Sequence, residues 1–283
     1  MILLDGKNLS IKLKNELKEK TKIYIEQYKI VPKLVIIMVG NNPASQIYVR
    51  NKLKAASFCG IDSELIKLEE DINNEELLEL IDKLNHDISV HGIIVQLPLP
   101  KHLDEQKVIN SVSDLKDVDG FGIINKGRLF SGLPALASAT PSGIMKLFKE
   151  YDIDLTGKHA VVIGRSNIVG KPMSMLLLNA NATVTITHSK TKNLSEITKN
   201  ADIIIAAVGK AKFVTSDMVK DGAVLVDVGI NRIEDKIYGD IDFENVKEKA
   251  SYITPVPGGV GPLTIVSLLE NTLLAYENIV KKA

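Results

Sequence analysis

Short apolar runs alternate with longer amphipathic stretches along most of the chain. The runs at 34–39 and 203–208 are rich in Val, Ile and Leu, and they are far shorter than the roughly 20 residues of a membrane span. Runs of this length are typical of strands that are buried on both faces of a parallel sheet. Between them, apolar residues recur near helical spacing, as at Leu9, Leu13 and Leu17. The pattern therefore predicts an α/β fold with parallel strands.

The first half of the chain is predicted to contain a series of strand–helix units. Gly60 lies where a left-handed residue often ends a helix, and Pro98 stops the last strand because proline cannot donate to a sheet. The predicted elements are a helix at 8–28, a strand at 34–39, a helix at 45–59, a strand at 63–68, a helix at 74–85 and a strand at 92–97.

The regular pattern weakens between residues 114 and 141, where four glycines predict turns. We therefore expect a domain boundary near Thr140, with an N-terminal α/β domain at 1–140 and a Rossmann-like domain with a parallel sheet at 141–264. The last helix is long enough to return to the first domain, so residues 265–283 are expected to complete it. The elements predicted for the second half lie at 159–163, 170–178, 183–187, 194–199, 202–208, 223–228 and 262–280.

Composition narrows the class of protein. The 35 basic and 35 acidic residues balance, so no net charge recruits nucleic acid or an anionic membrane. The single cysteine, Cys59, excludes internal disulfides and multi-cysteine metal sites. The first residues do not resemble a signal peptide, and the five histidines form no H-E-x-x-H motif. These features predict a cytoplasmic protein without a bound metal.

A glycine-containing turn follows the predicted strand His159–Ile163. It reads Gly164-Arg-Ser-Asn-Ile-Val-Gly170 and leads into a predicted helix. Glycine allows close approach of a pyrophosphate, and the start of a helix offers unpaired N–H groups to it. The spacing differs from G-x-G-x-x-G, so the motif by itself leaves open a βα turn without a ligand.

The end of the next strand indicates which dinucleotide would bind. An NAD site usually has Asp or Glu there, which holds the ribose 2′-hydroxyl. This chain has His188-Ser189-Lys190, without a carboxylate. A hydroxyl and cations, including Arg165 in the glycine turn, suit a 2′-phosphate. The sequence therefore predicts NADP rather than NAD.

Several polar residues are candidates for catalysis. Tyr48 and Lys52 are four residues apart, on one face of a predicted helix, and such a pair can relay protons. Gln96 ends an otherwise apolar strand, where ligands bind in parallel sheets, and Asp119 lies in a turn with Asp117. An exposed helix pair, a buried amide and plain turn chemistry are the alternatives for these positions.

Taken together, the motifs resemble one enzyme family over essentially the whole chain. The chain is similar to the bifunctional 5,10-methylenetetrahydrofolate dehydrogenase/5,10-methenyltetrahydrofolate cyclohydrolases. The motifs that carry the resemblance are Tyr48-x-x-x-Lys52, Val95-Gln-Leu-Pro98, Lys116-Asp-Val-Asp-Gly120, Gly164-Arg-Ser-Asn-Ile-Val-Gly170-Lys-Pro172, His188-Ser-Lys-Thr191 and Pro255-Val-Pro-Gly-Gly-Val-Gly-Pro262.

The resemblance implies roles for these residues. Lys52 would be the main catalytic group, Tyr48 would stack on the folate, Gln96 would orient Lys52, and Asp119 would bind the pterin ring. The residues implied at the NADP site are Gly164, Arg165, Ser166, Ser189 and Ile230, and those implied at the substrate cleft are Pro257, Gly258 and Gly259.

The implied enzyme is a homodimer that acts in one-carbon metabolism, which supplies purine and amino-acid biosynthesis. It would oxidise 5,10-methylenetetrahydrofolate with NADP and hydrolyse the product to 10-formyltetrahydrofolate. One segment departs from the family pattern: a Phe-x-Pro-Cys-Thr-Pro run is replaced by Leu136-Ala-Ser-Ala-Thr-Pro141.

Two other functions remain open from the residues. A different two-domain NADP dehydrogenase would explain the nucleotide turn but not the combination of Tyr48, Gln96 and Asp119. A non-catalytic nucleotide- or folate-binding protein on the same scaffold is the second, and the presence of Lys52 argues against it.

Overall fold

The computed structural model of the chain describes residues 1–234 and 236–281. In chain order, the elements are β1 (Ile2–Leu3), α1 (Gly6–Tyr28), β2 (Lys33–Val39), α2 (Pro43–Phe58), β3 (Asp62–Leu68), α3 (Asn74–His86), β4 (Gly92–Val95), α4 (Glu105–Ser111), α5 (Ile123–Phe130), α6 (Ala139–Glu150), β5 (His159–Ile163), α7 (Gly170–Asn179), β6 (Thr183–Thr187), α8 (Leu194–Thr198), β7 (Ile203–Ala206), β8 (Ala223–Asp227), β9 (Asn231–Ile233), β10 (Lys236–Tyr238), α9 (Phe243–Val246), β11 (Ala250–Ile253) and α10 (Val260–Val280). A short 3-10 helix, Ser216–Met218, precedes β8.

The chain divides into two compact units. The six-stranded unit contains Met1–Ser10 and Thr140–Thr264, and the three-stranded unit contains Ile11–Ala139 and the described residues from Ile265 onward. The predicted first domain included residues 1–10, whereas the structure groups them with Thr140–Thr264. The reason is that β1 pairs with β11, a strand near the other end of the sequence.

The three-stranded unit is built on a parallel sheet with the order β3-β2-β4. Its central strand β2 is buried along almost its whole length, as expected for a strand covered on both faces. Part of the cover comes from α10, whose Leu269 and Tyr276 lie in the same core as Leu34 and Ile36. Tyr276 Oη also donates a hydrogen bond to Ile30 O at 2.8 Å.

The six-stranded unit has a parallel sheet with the order β1-β11-β8-β7-β5-β6. The apolar residues of β5, β7, β8 and β11 form its core. All six strands are parallel, so their carboxyl ends share one edge, where open α/β sheets bind ligands. A separate antiparallel hairpin, β9–β10, follows β8.

The predicted fold class is confirmed, and most predicted elements lie within a few residues of those observed. The strand predicted at 92–97 ends at Val95. The prediction of turns across 114–141 is confirmed at 114–116, 118–119 and 131–132. It is wrong at 123–130 and from 139 onward, where α5 and the start of α6 lie. The elements β1, α4, α6, β9, β10, α9 and β11 were not predicted from the sequence.

No helix in the described part of the chain has the length and apolar character that crossing a membrane requires. Among residues 1–234 and 236–281, no group of three or more His, Cys, Asp and Glu side chains is arranged to hold a metal ion.

Candidate active site

Lys52 and Gln96 meet in the three-stranded unit. Lys52 lies on α2 and is only 9% exposed, and its Nζ donates a hydrogen bond to Gln96 Oε1 at 3.1 Å. Gln96 follows β4, and its Nε2 donates to Leu97 O at 2.8 Å. That bond fixes the orientation of the amide, so its oxygen faces the lysine. The structure thus brings together two residues that are 44 positions apart in sequence.

Tyr48 lies one turn before Lys52 on α2. Its side chain is 45% exposed, so its ring is available to a ligand. At the start of α2, Pro43 occupies the first helical position and Asn42 Oδ1 accepts a hydrogen bond from Ser45 N. The helix therefore presents Tyr48 and Lys52 on one face, as the four-residue spacing predicts.

The turn that carries Asp119 is held by buried polar side chains. Asp117 accepts hydrogen bonds from Phe121 N at 3.1 Å and Gly122 N at 2.9 Å, and Asn125 Nδ2 donates to the same carboxylate at 3.0 Å. The carboxylate of Asp117 therefore stabilises the turn. The carboxylate of Asp119 does not make these bonds. The sequence alone does not show which of the two aspartates stabilises the turn.

Asp119 has a perturbed acidity. Desolvation by burial raises the pKa of its carboxyl group above the ordinary value, and the neighbouring charge of Lys52 opposes this effect. Asp117 raises the pKa further, as a second negative charge would. Asp119 therefore lies within electrostatic reach of Lys52, which groups it with the Lys52–Gln96 pair.

The segment that departs from the family pattern also contacts the Asp119 turn. Ser138 stands where the pattern has proline, and its Oγ donates a hydrogen bond to Gly120 O at 3.3 Å. Leu136 N donates to Asn125 Oδ1 at 3.3 Å. Gly120 has φ +67°, and a Cβ there would lie 2.3 Å from Leu136 O. Proline has no hydroxyl group, so it could not donate the hydrogen bond that Ser138 makes to Gly120 O.

The glycine turn lies in the six-stranded unit, between β5 and α7. Gly164 has φ +125°, and a Cβ there would lie 2.3 Å from Ala207 O. A Cβ at Gly170 would lie 2.2 Å from Gly164 O, so the close approach of the backbone requires both glycines. Ser166 Oγ accepts hydrogen bonds from Val169 N and Gly170 N at 3.1 and 3.2 Å.

The polar residues at this edge fit a phosphorylated dinucleotide. Arg165 and Ser166 are exposed after β5, and Ser189 is exposed after the neighbouring strand β6. The segment 188–193 contains two lysines and no carboxylate. A hydroxyl with cations is the set of donors that suits a 2′-phosphate, whereas a carboxylate would repel it.

Two further loops follow strands of the same sheet. Ile230 comes after β8, and Pro257, Gly258 and Gly259 come after β11. All four line one cavity of about 160 Å³. Gly258 has φ +106°, and no atom lies within 4 Å of the position of a Cβ there. The structure therefore brings Ile230 together with the 257–259 loop.

Three polar residues that hold these loops and turns were not among the candidates predicted from the sequence. Asp227 and Asp240 are buried in the six-stranded unit, and Asn271 of α10 donates hydrogen bonds to Val118 O and Ala137 O, both at 2.8 Å. The available signal was only that each is a polar residue within or beside an apolar stretch.

Both halves of the chain match family models. Residues 4–119 match the model of the tetrahydrofolate dehydrogenase/cyclohydrolase catalytic domain. Residues 138–280 match the model of the NAD(P)-binding domain of the same family.

The chain is also similar to individual proteins along nearly its full length. It is 57% identical to the bifunctional protein FolD of Campylobacter hominis, over 100% of this chain and 99% of that protein. The crystal structure of the bifunctional methylenetetrahydrofolate dehydrogenase/cyclohydrolase of Campylobacter jejuni has a TM-score of 0.96 at 56% identity, covering 98% of this chain and 99% of that one. A Trypanosoma brucei homologue complexed with NADP and an inhibitor has a TM-score of 0.94 at 34% identity, covering 98% of each chain.

Proposed function

The chain belongs to the tetrahydrofolate dehydrogenase/cyclohydrolase family, and from this premise we propose which of its residues perform each of the family's two reactions. It is a bifunctional enzyme that oxidises 5,10-methylenetetrahydrofolate to 5,10-methenyltetrahydrofolate with NADP. It also hydrolyses this product to 10-formyltetrahydrofolate. The observation that carries the assignment of residues is the hydrogen bond between Lys52 and Gln96.

The hydrolytic reaction belongs to the three-stranded unit in our proposal. Water adds to the methenyl carbon and loses one proton to the solvent. The remaining hydroxyl proton is then transferred to one of the two ring nitrogens as the bond from that nitrogen to the carbon breaks and the formyl C=O forms. Lys52 Nζ is the group that moves this proton, and Gln96 holds the lysine by accepting its hydrogen bond. The exposed ring of Tyr48 stacks on the folate, and Asp119 binds the pterin ring.

The oxidative reaction draws on the six-stranded unit. When NADP is bound, its nicotinamide supplies the acceptor for the hydride of the methylene carbon. Gly164, Arg165, Ser166, Ser189 and Ile230 would hold the cofactor, with the glycines giving close backbone approach. Pro257, Gly258 and Gly259 would present backbone groups to the substrate.

The reactions of the purified protein test the proposed function directly. With 5,10-methylenetetrahydrofolate and NADP, we expect the absorbance of reduced nicotinamide to rise. With 5,10-methenyltetrahydrofolate alone, we expect the methenyl absorbance to fall faster than in buffer. A different NADP dehydrogenase would show neither signal, and a non-catalytic binding protein would bind NADP without turnover.

Lys52→Met tests the proposed catalytic lysine. We expect cyclohydrolase activity to fall by about 100-fold or more, as when a general acid–base group is removed. The matched control is Lys54→Met, because Lys54 lies on the same helix but is exposed. The cyclohydrolase activity of Lys54→Met should stay within about twofold of that of the unaltered protein. Full cyclohydrolase activity in Lys52→Met, measured at saturating substrate, would show that the assignment is wrong.

We further propose that the enzyme is a homodimer in the cytoplasm, as the family resemblance implies. Light scattering should then give a mass of twice the 31.0 kDa of one chain. A mass of one chain across the micromolar range would contradict the dimer.

A further inference from the structure

Two buried carboxylates lie at the carboxyl edge of the six-stranded sheet, next to the loop that carries Ile230 of the proposed cofactor site. Asp227 ends β8 and is 4% exposed, and Asp240 follows β10 and is fully buried. Neither belongs to the motifs that identified the family. Buried carboxylates are costly unless hydrogen bonds satisfy them, so their partners show what they do.

Asp240 binds the loop after β7. Its Oδ2 accepts hydrogen bonds from Val208 N at 2.6 Å and Gly209 N at 2.9 Å. Its Oδ1 accepts from Lys210 N at 2.9 Å and from Asn231 Nδ2, also at 2.9 Å. One side chain therefore fixes three successive peptide groups after β7 and connects them to the residue that follows Ile230.

Asp227 binds the segments after β8 and β10. Its Oδ1 accepts hydrogen bonds from Gly229 N at 2.9 Å and Asp240 N at 2.8 Å, and its Oδ2 accepts from Ile241 N at 2.8 Å. Its own backbone N donates to Thr254 Oγ1 at 2.7 Å. Thr254 directly precedes the 255–262 loop, but this bond is made by the backbone of Asp227 and does not depend on its carboxylate.

Two glycines allow the backbone to lie directly on these carboxylates. A Cβ at Gly229 would be 2.2 Å from Asp240 Oδ1, and a Cβ at Gly239 would be 1.9 Å from Asp227 Oδ2. Any larger residue would force the loop off the carboxylate. The position of each loop therefore depends on the carboxylate that it packs against.

We propose that Asp227 and Asp240 are positioning residues for the dinucleotide, which hold the loops after β7 and β8 in the geometry that binds it. The inference rests on the proposed function, because it takes Ile230 as part of the cofactor site. The N–H groups of the loops turn inward to the two carboxylates. The outward surfaces of the loops are thereby left to the ligand.

Asp240→Asn and Asp227→Asn test the proposal. An amide places an NH₂ group against backbone N–H donors, so each variant breaks bonds that the carboxylate makes. We expect the Kd of NADP, measured by calorimetry without folate, to rise about tenfold or more. Cyclohydrolase activity, measured without NADP, should stay within about twofold because it relies on the three-stranded unit.

The matched control is Asp202→Asn. Asp202 is in the same unit, but at the amino edge of the sheet, where it accepts a hydrogen bond from His159 N and pairs with Lys220. Its loss should leave the Kd of NADP within about twofold. An unchanged Kd in folded Asp227→Asn and Asp240→Asn proteins would overturn the proposal.

If the Asp227→Asn and Asp240→Asn proteins do not fold, as shown by the lack of a cooperative unfolding transition, a milder variant tests the proposal. Asn231→Ala removes the hydrogen bond to Asp240 from a half-buried position. We expect a threefold or larger rise in the Kd of NADP, and an unchanged Kd would overturn the proposal. Failure of the unaltered protein to bind NADP would instead contradict the proposed function.

Discussion

His91 illustrates how burial changes the chemistry of one residue. It is 1% exposed, its Nδ1 accepts a hydrogen bond from Lys33 N at 3.0 Å, and its ring packs on Tyr276 at 4.9 Å between centroids. Desolvation by burial, with a smaller effect of the Lys116 charge, lowers the pKa of His91 to about 4. The imidazole is therefore neutral in the folded protein at pH 7.

This lowered pKa makes stability depend on pH. The unfolded chain takes up the proton near pH 6.5, whereas the folded protein resists it until about pH 4. The contribution of His91 to the free energy of unfolding is therefore fully present above pH 6.5. As the pH falls toward 4, this free energy decreases by up to about 3 kcal/mol. His91→Asn keeps an acceptor near Nδ1 but does not titrate.

We expect the free energy of unfolding in urea to fall less between pH 7 and pH 5 in His91→Asn than in the unaltered protein. The control is His86→Asn, because His86 is exposed on α3, and it should keep the original pH dependence. Equal dependence in His91→Asn and the unaltered protein would show that His91 does not cause it.

At the residue scale, the sequence predicts candidates better than it predicts their contacts. The order of the motifs selects Lys52, Gln96 and Asp119, but the 3.1 Å contact of Lys52 with Gln96 comes from the fold. Asp227 and Asp240 could not be found this way, because most of their partners are backbone N–H groups. Backbone partners leave no pattern of side chains in the sequence.

Among the elements, α10 reaches the turn that carries Asp119. Asn271 donates hydrogen bonds to Val118 O and Ala137 O, so it joins that turn to the segment before α6. In Asn271→Leu both carbonyls lose their donor, which should cost about 1–3 kcal/mol of stability. We expect the KM for 5,10-methenyltetrahydrofolate to rise severalfold while the Kd of NADP is unchanged. An unchanged KM would mean that Asn271 does not position the turn.

We expect the residues after β6 to determine the preference for NADP over NAD. Ser189→Asp places a carboxylate where an NAD site has one, so it should repel the 2′-phosphate of NADP. The ratio of kcat/KM for NADP to that for NAD should fall about tenfold or more. Asn200→Asp is the control, because it adds the same charge just before β7, at the amino edge of the sheet. An unchanged ratio in Ser189→Asp would contradict the role of Ser189.

The sequence pattern predicted well the elements that have a clear apolar or β-branched run and predicted poorly those that lack one. The strands β2, β5 and β6 are apolar or β-branched runs, and their bounds were nearly correct. In contrast, α5 contains Gly127 and begins after Gly122, which makes no side-chain cap, so it lacks the usual helix signals. Its position depends on the contact of Asn125 with Asp117, which only the folded chain reveals.

On the scale of the whole molecule, the alternation of strands and helices was enough to predict an α/β protein with two units. The predicted grouping of the first ten residues differs from the structure because β1 is only two residues long. Its pairing of Ile2 with Tyr252 and of Leu3 with Ile253 joins residues about 250 positions apart. No local pattern encodes a partner so distant.

The division of the chain also has a consequence for its synthesis on the ribosome. The three-stranded unit lacks α10 until the last described residues have been translated, although Leu269 and Tyr276 cover its core. The apolar side chains of β2 and α1 therefore stay incompletely covered for most of translation, a state prone to aggregation. We therefore expect aggregation of the nascent chain to be suppressed only once α10 has left the exit tunnel.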